Sequence, residues 1–149
     1  MTETIPILLV EDNPSDVELA LRTFRQRKLP NRVAVARDGG EALDYVYRRG
    51  PFAIDSPIPG LILLDLRLPK VDGLEVLREL KDHPVYRNIP VVVLTTSAED
   101  GDIKRSYELG AASYIVKPME FEKFQEVMGR IELYWLSTNV PHPEVGRKG

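Results

Sequence analysis

Four short apolar runs, each ended by a polar cluster, limit what this chain can fold into. Ile7 to Val10 is followed by Glu11 and Asp12, and Leu61 to Leu64 by Asp65. Val91 to Leu94 is followed by Thr95, Thr96 and Ser97, and Tyr114 to Val116 by Lys117 and Pro118. Such runs are rich in Val, Ile and Leu and do not alternate with polar residues, as expected of strands buried on both faces of a parallel sheet. Ligands of open parallel sheets bind in the crevice outside the carboxyl ends of the strands. Three carboxylates, a hydroxyl and a lysine are therefore predicted to converge on one rim. That set can hold a hard divalent cation and a phosphoryl group together.

Helical patterns separate the runs. The first strand is expected from Ile5 to Val10. Asn13 then suits an N-cap, and Pro14 the first helical position, where a missing N–H costs nothing. Val17, Leu21 and Phe24 share one apolar face. Arg32 to Ala36 reads as a weaker strand, and Glu41 to Arg49 as a helix with Ala42, Leu43 and Val46 inward. Gly50 to Pro59 is a loop. Asp72 and Glu75 have capping-box spacing ahead of Leu74, Leu77 and Leu80. Pro84 to Pro90 interrupts the pattern. Glu99 to Leu109 is helical and stops at Gly110. A last helix is expected from Glu120 to Ser137, with Phe121, Phe124, Met128, Ile131 and Trp135 as its inward stripe. The repeated βα pattern implies right-handed crossovers and an α/β sandwich: a five-stranded parallel sheet with helices on both faces. Residues 1–138 form the expected domain, and 139–149, rich in Pro, Gly and charge, a mobile tail.

Composition narrows the function classes. A chain of 149 residues suits one domain, and 43% hydrophobic with 29% charged residues is ordinary for a globular protein. A net charge of −3 without basic clusters gives no reason to expect nucleic acid or an anionic membrane as partner. With no Cys there is no thiolate metal site or thiol catalysis, which fits a reducing, cytoplasmic setting. Neither a signal peptide nor a membrane span is expected.

The polar clusters carry the chemistry. Acids after a strand often serve only as caps, but Asn13 already fills that role beside Glu11 and Asp12. Adjacent acids facing a third repel one another unless a cation lies between them. Asp65 follows an apolar run where a lone buried carboxylate is costly, and a carboxylate can accept a phosphoryl group as an acyl phosphate. Thr95, Thr96 and Ser97 alone mean little, since Thr is common in strands. Lys117 emerges beside three carboxylates, where it can pair with Asp65 or bind phosphoryl oxygens.

Taken together, these residues resemble a response-regulator receiver domain. The resemblance rests on Glu11-Asp12, Ile62-Leu63-Leu64-Asp65-Leu66, Leu68-Pro69, Asp72-Gly73, the Thr95 strand end, Tyr114 and Lys117-Pro118. It covers Ile5 to Ser137. Pro90 to Ser97, Ser106-Tyr107-Glu108-Leu109, the long segment before Asp65 and Trp135-Leu136 resemble the small receivers that serve phytochrome histidine kinases. The resemblance implies a flavodoxin-like (βα)5 fold and a phosphoryl group passed to Asp65 from a kinase phosphohistidine. It implies Mg²⁺ held by Asp12, Asp65 and the backbone carbonyl of Arg67, with Glu11 acting mainly through water. Lys117, the Thr95 hydroxyl and the Thr96 backbone N–H would bind phosphoryl oxygens. Thr95 and Tyr114 would form a switch pair, the Lys117–Pro118 bond would be cis, and Arg67 and Ser97 would flank the approach of water.

On this reading the chain is a signalling protein and not an enzyme. No room is expected after Ser137 for an output domain, so signal leaves by contact with a downstream protein that the sequence does not name. Leu133, Tyr134, Trp135 and Leu136 make the last turn apolar almost all round, which suits a homodimer through the last helix. Two other classes fit this residue set less well. A phosphatase with an aspartyl nucleophile usually has a second Asp two residues on, where this chain has Arg67. An interaction module without phosphorylation would not need the full acid, Thr and Lys set.

Overall fold

The computed structural model describes residues 4–50, 57–117, 120–138 and 143. The expected tail at 139–149 lies outside the described residues apart from Pro143, as does the Lys117–Pro118 peptide bond. Among these residues five strands and five α-helices alternate: β1 (Ile7–Val10), α1 (Pro14–Gln26), β2 (Val33–Ala36), α2 (Gly39–Tyr47), β3 (Leu61–Leu64), α3 (Gly73–Asp82), β4 (Val91–Thr95), α4 (Asp100–Glu108), β5 (Ser113–Val116) and α5 (Phe121–Ile131). The strands pair in parallel in the order β2-β1-β3-β4-β5. The order reverses at β1, which lies between β2 and β3, so the crevice above β1 and β3 is where a ligand is expected.

The period-two alternation of side chains splits each strand between two cores. Leu8, Val10, Ile62, Leu64, Val91 and Val93 pack with Ala42, Val46, Val76, Leu77 and Leu80 of α2 and α3. Ile7, Leu9, Leu61, Leu63, Val92 and Leu94 pack with Ala20, Phe24, Phe124, Met128 and Ile131 of α1 and α5. Continuous apolar runs were needed because both faces are covered.

Local boundaries shift for identifiable reasons. In α1, Asn13 accepts from the N–H groups of Ser15 and Asp16, and Pro14 opens the helix. Helix α2 starts two residues earlier than expected because Asp38 is its N-cap, accepting from Glu41 N–H at 2.7 Å. Ahead of α3, Asp72 caps Leu74 N–H at 3.3 Å, while Glu75 pairs with Arg78 instead of completing a capping box. The loop between Pro84 and Pro90 holds a short 3₁₀ turn, Tyr86–Asn88.

The last helix does not stay α-helical to Ser137. Beyond Ile131 it continues as a π-helix over Glu132–Thr138. Hydrogen bonds from i to i+5 set Leu136 above Ile131. Trp135 and Leu136 are half-buried against the α1/α5 core, whereas Leu133 and Tyr134 are 68% and 51% exposed. The apolar turn is therefore divided between the chain's own core and solvent.

Gly73 fixes the loop that carries Asp65. A Cβ there would lie 2.5 Å from the Asp65 carbonyl oxygen and 2.5 Å from Leu66 Cα. Its own N–H donates to the Leu66 carbonyl at 3.0 Å, so the two segments approach backbone to backbone. Gly73→Ala is expected to cost about 1–3 kcal/mol, because the loop must shift to make room. Urea denaturation measures this, and an unchanged midpoint would contradict the close approach.

Candidate metal and phosphoryl-acceptor site

Strand register assembles the site. Val10 pairs with Leu64, so the residues that follow them, Glu11 and Asp65, emerge side by side. Asp65 N–H donates to the Val10 carbonyl at 3.0 Å, and Glu11 N–H to the Ala36 carbonyl at 2.9 Å. Thr95 pairs with Val116, and Lys117 N–H donates back to the Thr95 carbonyl at 2.6 Å. Every predicted polar cluster thus stands on the carboxyl rim of the sheet.

Oxygen atoms of Glu11, Asp12 and Asp65 all lie within 4.8 Å of one another. Glu11 and Asp65 are buried and Asp12 is exposed. Hard oxygen donors from carboxylates, open to water on one side, fit Mg²⁺, which takes one or two carboxylates and keeps several waters. Arg67, the source of the implied carbonyl ligand, is in the same loop, and its N–H donates to Asp65 Oδ1 at 3.2 Å.

Lys117 is buried among acids. Its Nζ donates to Glu11 Oε1 at 2.5 Å, Asp16 Oδ2 at 2.7 Å and Asp65 Oδ2 at 3.3 Å. Burial alone would lower its pKa, but hydrogen bonds to Asp16 and Glu11 and the charge of Asp65 outweigh it and hold the ammonium above its ordinary value. Sequence reasoning paired Lys117 with Asp65 and missed Asp16. An acid in the first turn of a helix is already explained by the helix dipole, so its residue type carries no further signal.

A second network leads away from the rim. Ser97 Oγ donates to Asp102 Oδ2 at 2.6 Å, and Arg67 Nη2 to the same oxygen at 3.1 Å. Tyr114 OH donates to the Ser97 carbonyl at 2.9 Å, joining β5 to the loop after β4. Ser97 N–H donates to Thr95 Oγ1 at 3.4 Å. Both residues expected to flank the water's approach therefore meet Asp102 of α4, which the sequence reading did not single out. Thr96 is exposed at the start of that loop.

Burial is the leading cause that pushes the Glu11 carboxyl up to about 7; the Lys117 hydrogen bond opposes the rise and the Asp65 charge adds to it. In the metal-free chain this group's stabilising contribution is complete below its ordinary value of 4.5 and is lost as pH rises through about 7. Mg²⁺ favours the ionised carboxylate, so its affinity should rise between pH 6 and 8, with proton release at the lower pH. Calorimetry in two buffers of different ionisation heat measures both. Glu11→Gln should flatten the profile, and a flat profile in the unsubstituted chain would contradict the assignment.

Comparison with known proteins agrees with this geometry. Residues 7–128 match the response regulator receiver domain family. The chain is 45% identical over 133 residues to the probable methanogenesis regulatory protein FilR2 of Methanothrix harundinacea, covering 89% of this chain and 84% of that protein. It is 41% identical over 132 residues to the response regulator Rcp1 of Synechocystis, covering 89% of each. The crystal structure of Rcp1 in its Mn²⁺-bound form superposes with a TM-score of 0.86 at 39% identity, over 93% of this chain and 99% of that one. The phosphorylated cyanobacterial phytochrome response regulator RcpA superposes with a TM-score of 0.88 at 42% identity, over 93% and 99%. With its sheet order, acid cluster and buried lysine, this chain belongs to the response regulator receiver domain family.

Proposed function

We propose that this protein is a single-domain response regulator of a two-component phosphorelay. Asp65 accepts a phosphoryl group from the phosphohistidine of a sensor histidine kinase of the phytochrome type. The observation that carries the reading is the placement of Asp65: 7% exposed, in the acid cluster and 3.3 Å from the Lys117 ammonium. Its similarity to Rcp1 and RcpA supports the phytochrome pairing. The reading assigns residues 1–138 to the receiver domain, treats the chain as a signalling protein with no catalytic output of its own, and places it in the cytoplasm.

The chemistry is positioning and charge stabilisation. A carboxylate oxygen of Asp65 attacks phosphorus in line, the P–N bond breaks, and its electron pair stays on the imidazole nitrogen. Asp12, Asp65 and the Arg67 carbonyl, with Glu11 mainly through water, would hold a divalent cation, which would supply neutralisation of charge on the phosphoryl oxygens. Lys117 donates to one of these oxygens, and the Thr95 hydroxyl and Thr96 N–H to others. The acyl phosphate carries about −1.5 to −2 charge units at pH 7, in place of the single charge of the Asp65 carboxylate it replaces. Thr95 drawn toward that charge disturbs the Ser97 loop, which Tyr114 and Asp102 hold, and so alters the surface made by α4, β5 and the last helix for a downstream protein.

We also propose a homodimer through the last helix. Leu133 and Tyr134 supply exposed apolar surface there, with Trp135 and Leu136 beneath them against the core. A two-fold axis needs only one self-complementary patch.

Three measurements test these readings. Asp65→Asn should abolish the phosphoryl adduct formed with acetyl phosphate and Mg²⁺ in mass spectrometry, since the amide is a poor nucleophile; labelling at the original rate would exclude Asp65. Radiolabelled phosphate should pass faster from a phytochrome-type kinase than from an unrelated histidine kinase. Equal rates would remove the phytochrome pairing and leave the receiver reading standing. Leu133→Glu combined with Tyr134→Glu should give a folded monomer in sedimentation equilibrium, and a wild-type chain that is monomeric at high micromolar concentration, phosphorylated or not, rules the dimer out.

A further inference from the structure

We infer that Asp16 is a positioning residue for Lys117, a tether on α1 that keeps the ammonium directed at the phosphoryl-accepting edge of Asp65. The inference rests on the proposed role of Asp65 and concerns a residue outside the metal cluster.

An ammonium has three N–H donors. Three carboxylates take them here, at 2.5, 2.7 and 3.3 Å for Glu11, Asp16 and Asp65. The longest contact is to Asp65, so a phosphoryl oxygen on Asp65 can take that donor with little movement of Nζ. The other two contacts decide where Nζ stays. Glu11 belongs to the acid cluster that fits a cation, and its second oxygen already accepts Asn13 N–H at 3.2 Å. A cation bound there would draw Glu11 and Asp65 toward itself and loosen their hold on Lys117. Asp16 is not in that cluster. Its backbone N–H is held by Asn13 Oδ1 at 3.2 Å in the first turn of α1. It is thus the lysine partner that the cation does not contest, and it stands on a rigid element.

The alternative is that Asp16 merely complements the α1 dipole. Its carboxylate oxygen instead sits 2.7 Å from an ammonium whose side chain is 5% exposed, carried by a residue 101 positions away. A long lysine stem has many rotamers and binds as a point charge. Without the tether, a loosened ammonium is free to turn toward water at the open side of the site.

Two readouts test this. In the metal-free protein, the Lys117 Nζ–H resonance should be visible by NMR at low temperature, because its carboxylate partners slow exchange with water. Asp16→Asn should accelerate that exchange about 10-fold, the loss expected for one charge-assisted hydrogen bond. With Mg²⁺ present, beryllofluoride serves as the phosphoryl probe. Asp16→Asn should weaken its binding about 3- to 10-fold by calorimetry, and should have no further effect when combined with Lys117→Ala. Equal losses with and without Lys117 would show a general charge effect and overturn the inference, as would unchanged beryllofluoride binding or unchanged exchange. Failure of the wild-type chain to bind beryllofluoride would instead count against the phosphoryl-acceptor reading, while Lys117 exchange would still decide whether Asp16 holds the lysine.

Discussion

A buried ammonium held by three carboxylates organises this molecule. Lys117 is 8% exposed and Glu11 4%. Charges at that depth are tolerated only when each finds a partner, and removing one partner leaves the other uncompensated. The partners come from three separated places: the end of β1, the first turn of α1 and the end of β3. None can move far without disturbing the rest. The strand pairing that puts Val10 beside Leu64 and Thr95 beside Val116 is therefore also the pairing that neutralises the rim. The excess of acids over lysine at this rim is what makes the cleft suited to a cation, and in the proposed reaction the lysine would offset those acids for an incoming phosphoryl group.

A second network extends from the site toward α4 and β5. Asp102, on the first turn of α4, accepts from both Ser97 and Arg67, and Tyr114 holds the Ser97 carbonyl from β5. Two loops and two elements share one small set of hydrogen bonds beside the Asp65 carboxylate. In the proposed reaction, replacing the Asp65 carboxylate with a larger and more highly charged acyl phosphate would act on this set. Reversing a two-state surface from 1:99 to 99:1 needs about 5.5 kcal/mol of differential interaction. A few charge-assisted hydrogen bonds made in one state and absent in the other are of that order.

At the far end of the chain, the last helix solves a different problem. Its apolar residues are too many for one face of an α-helix. The π-helical winding after Ile131 lets Trp135 and Leu136 return to the core and leaves Leu133 and Tyr134 outward. Arg27 joins this segment to α1 through Glu132 at 2.5 Å, so the extension is fastened at its start.

The sequence by itself determined the sheet, because apolar runs without alternation can be buried only between two helical layers, and it determined the rim, because each run ends in its polar cluster. Asn13 and Pro14 announced the start of α1, and Asp65, Asp12, Glu11, Thr95 and Lys117 were legible for the same reason: each follows directly from a strand whose direction is known. Tertiary structure decided the rest. Asp16 joins the site only because the first turn of α1 comes within reach of the Lys117 side chain, and Asp102 only because α4 brings it to the Ser97 hydroxyl and Arg67. Asp38 and Glu75 show the same limit on a smaller scale, since which donor or cation a short acidic side chain meets depends on backbone placement within an ångström. The winding of the last helix was decided by competition between core and solvent for the same apolar turn. Local patterns encode which face a residue takes; which distant partner waits there depends on packing between elements far apart in the chain.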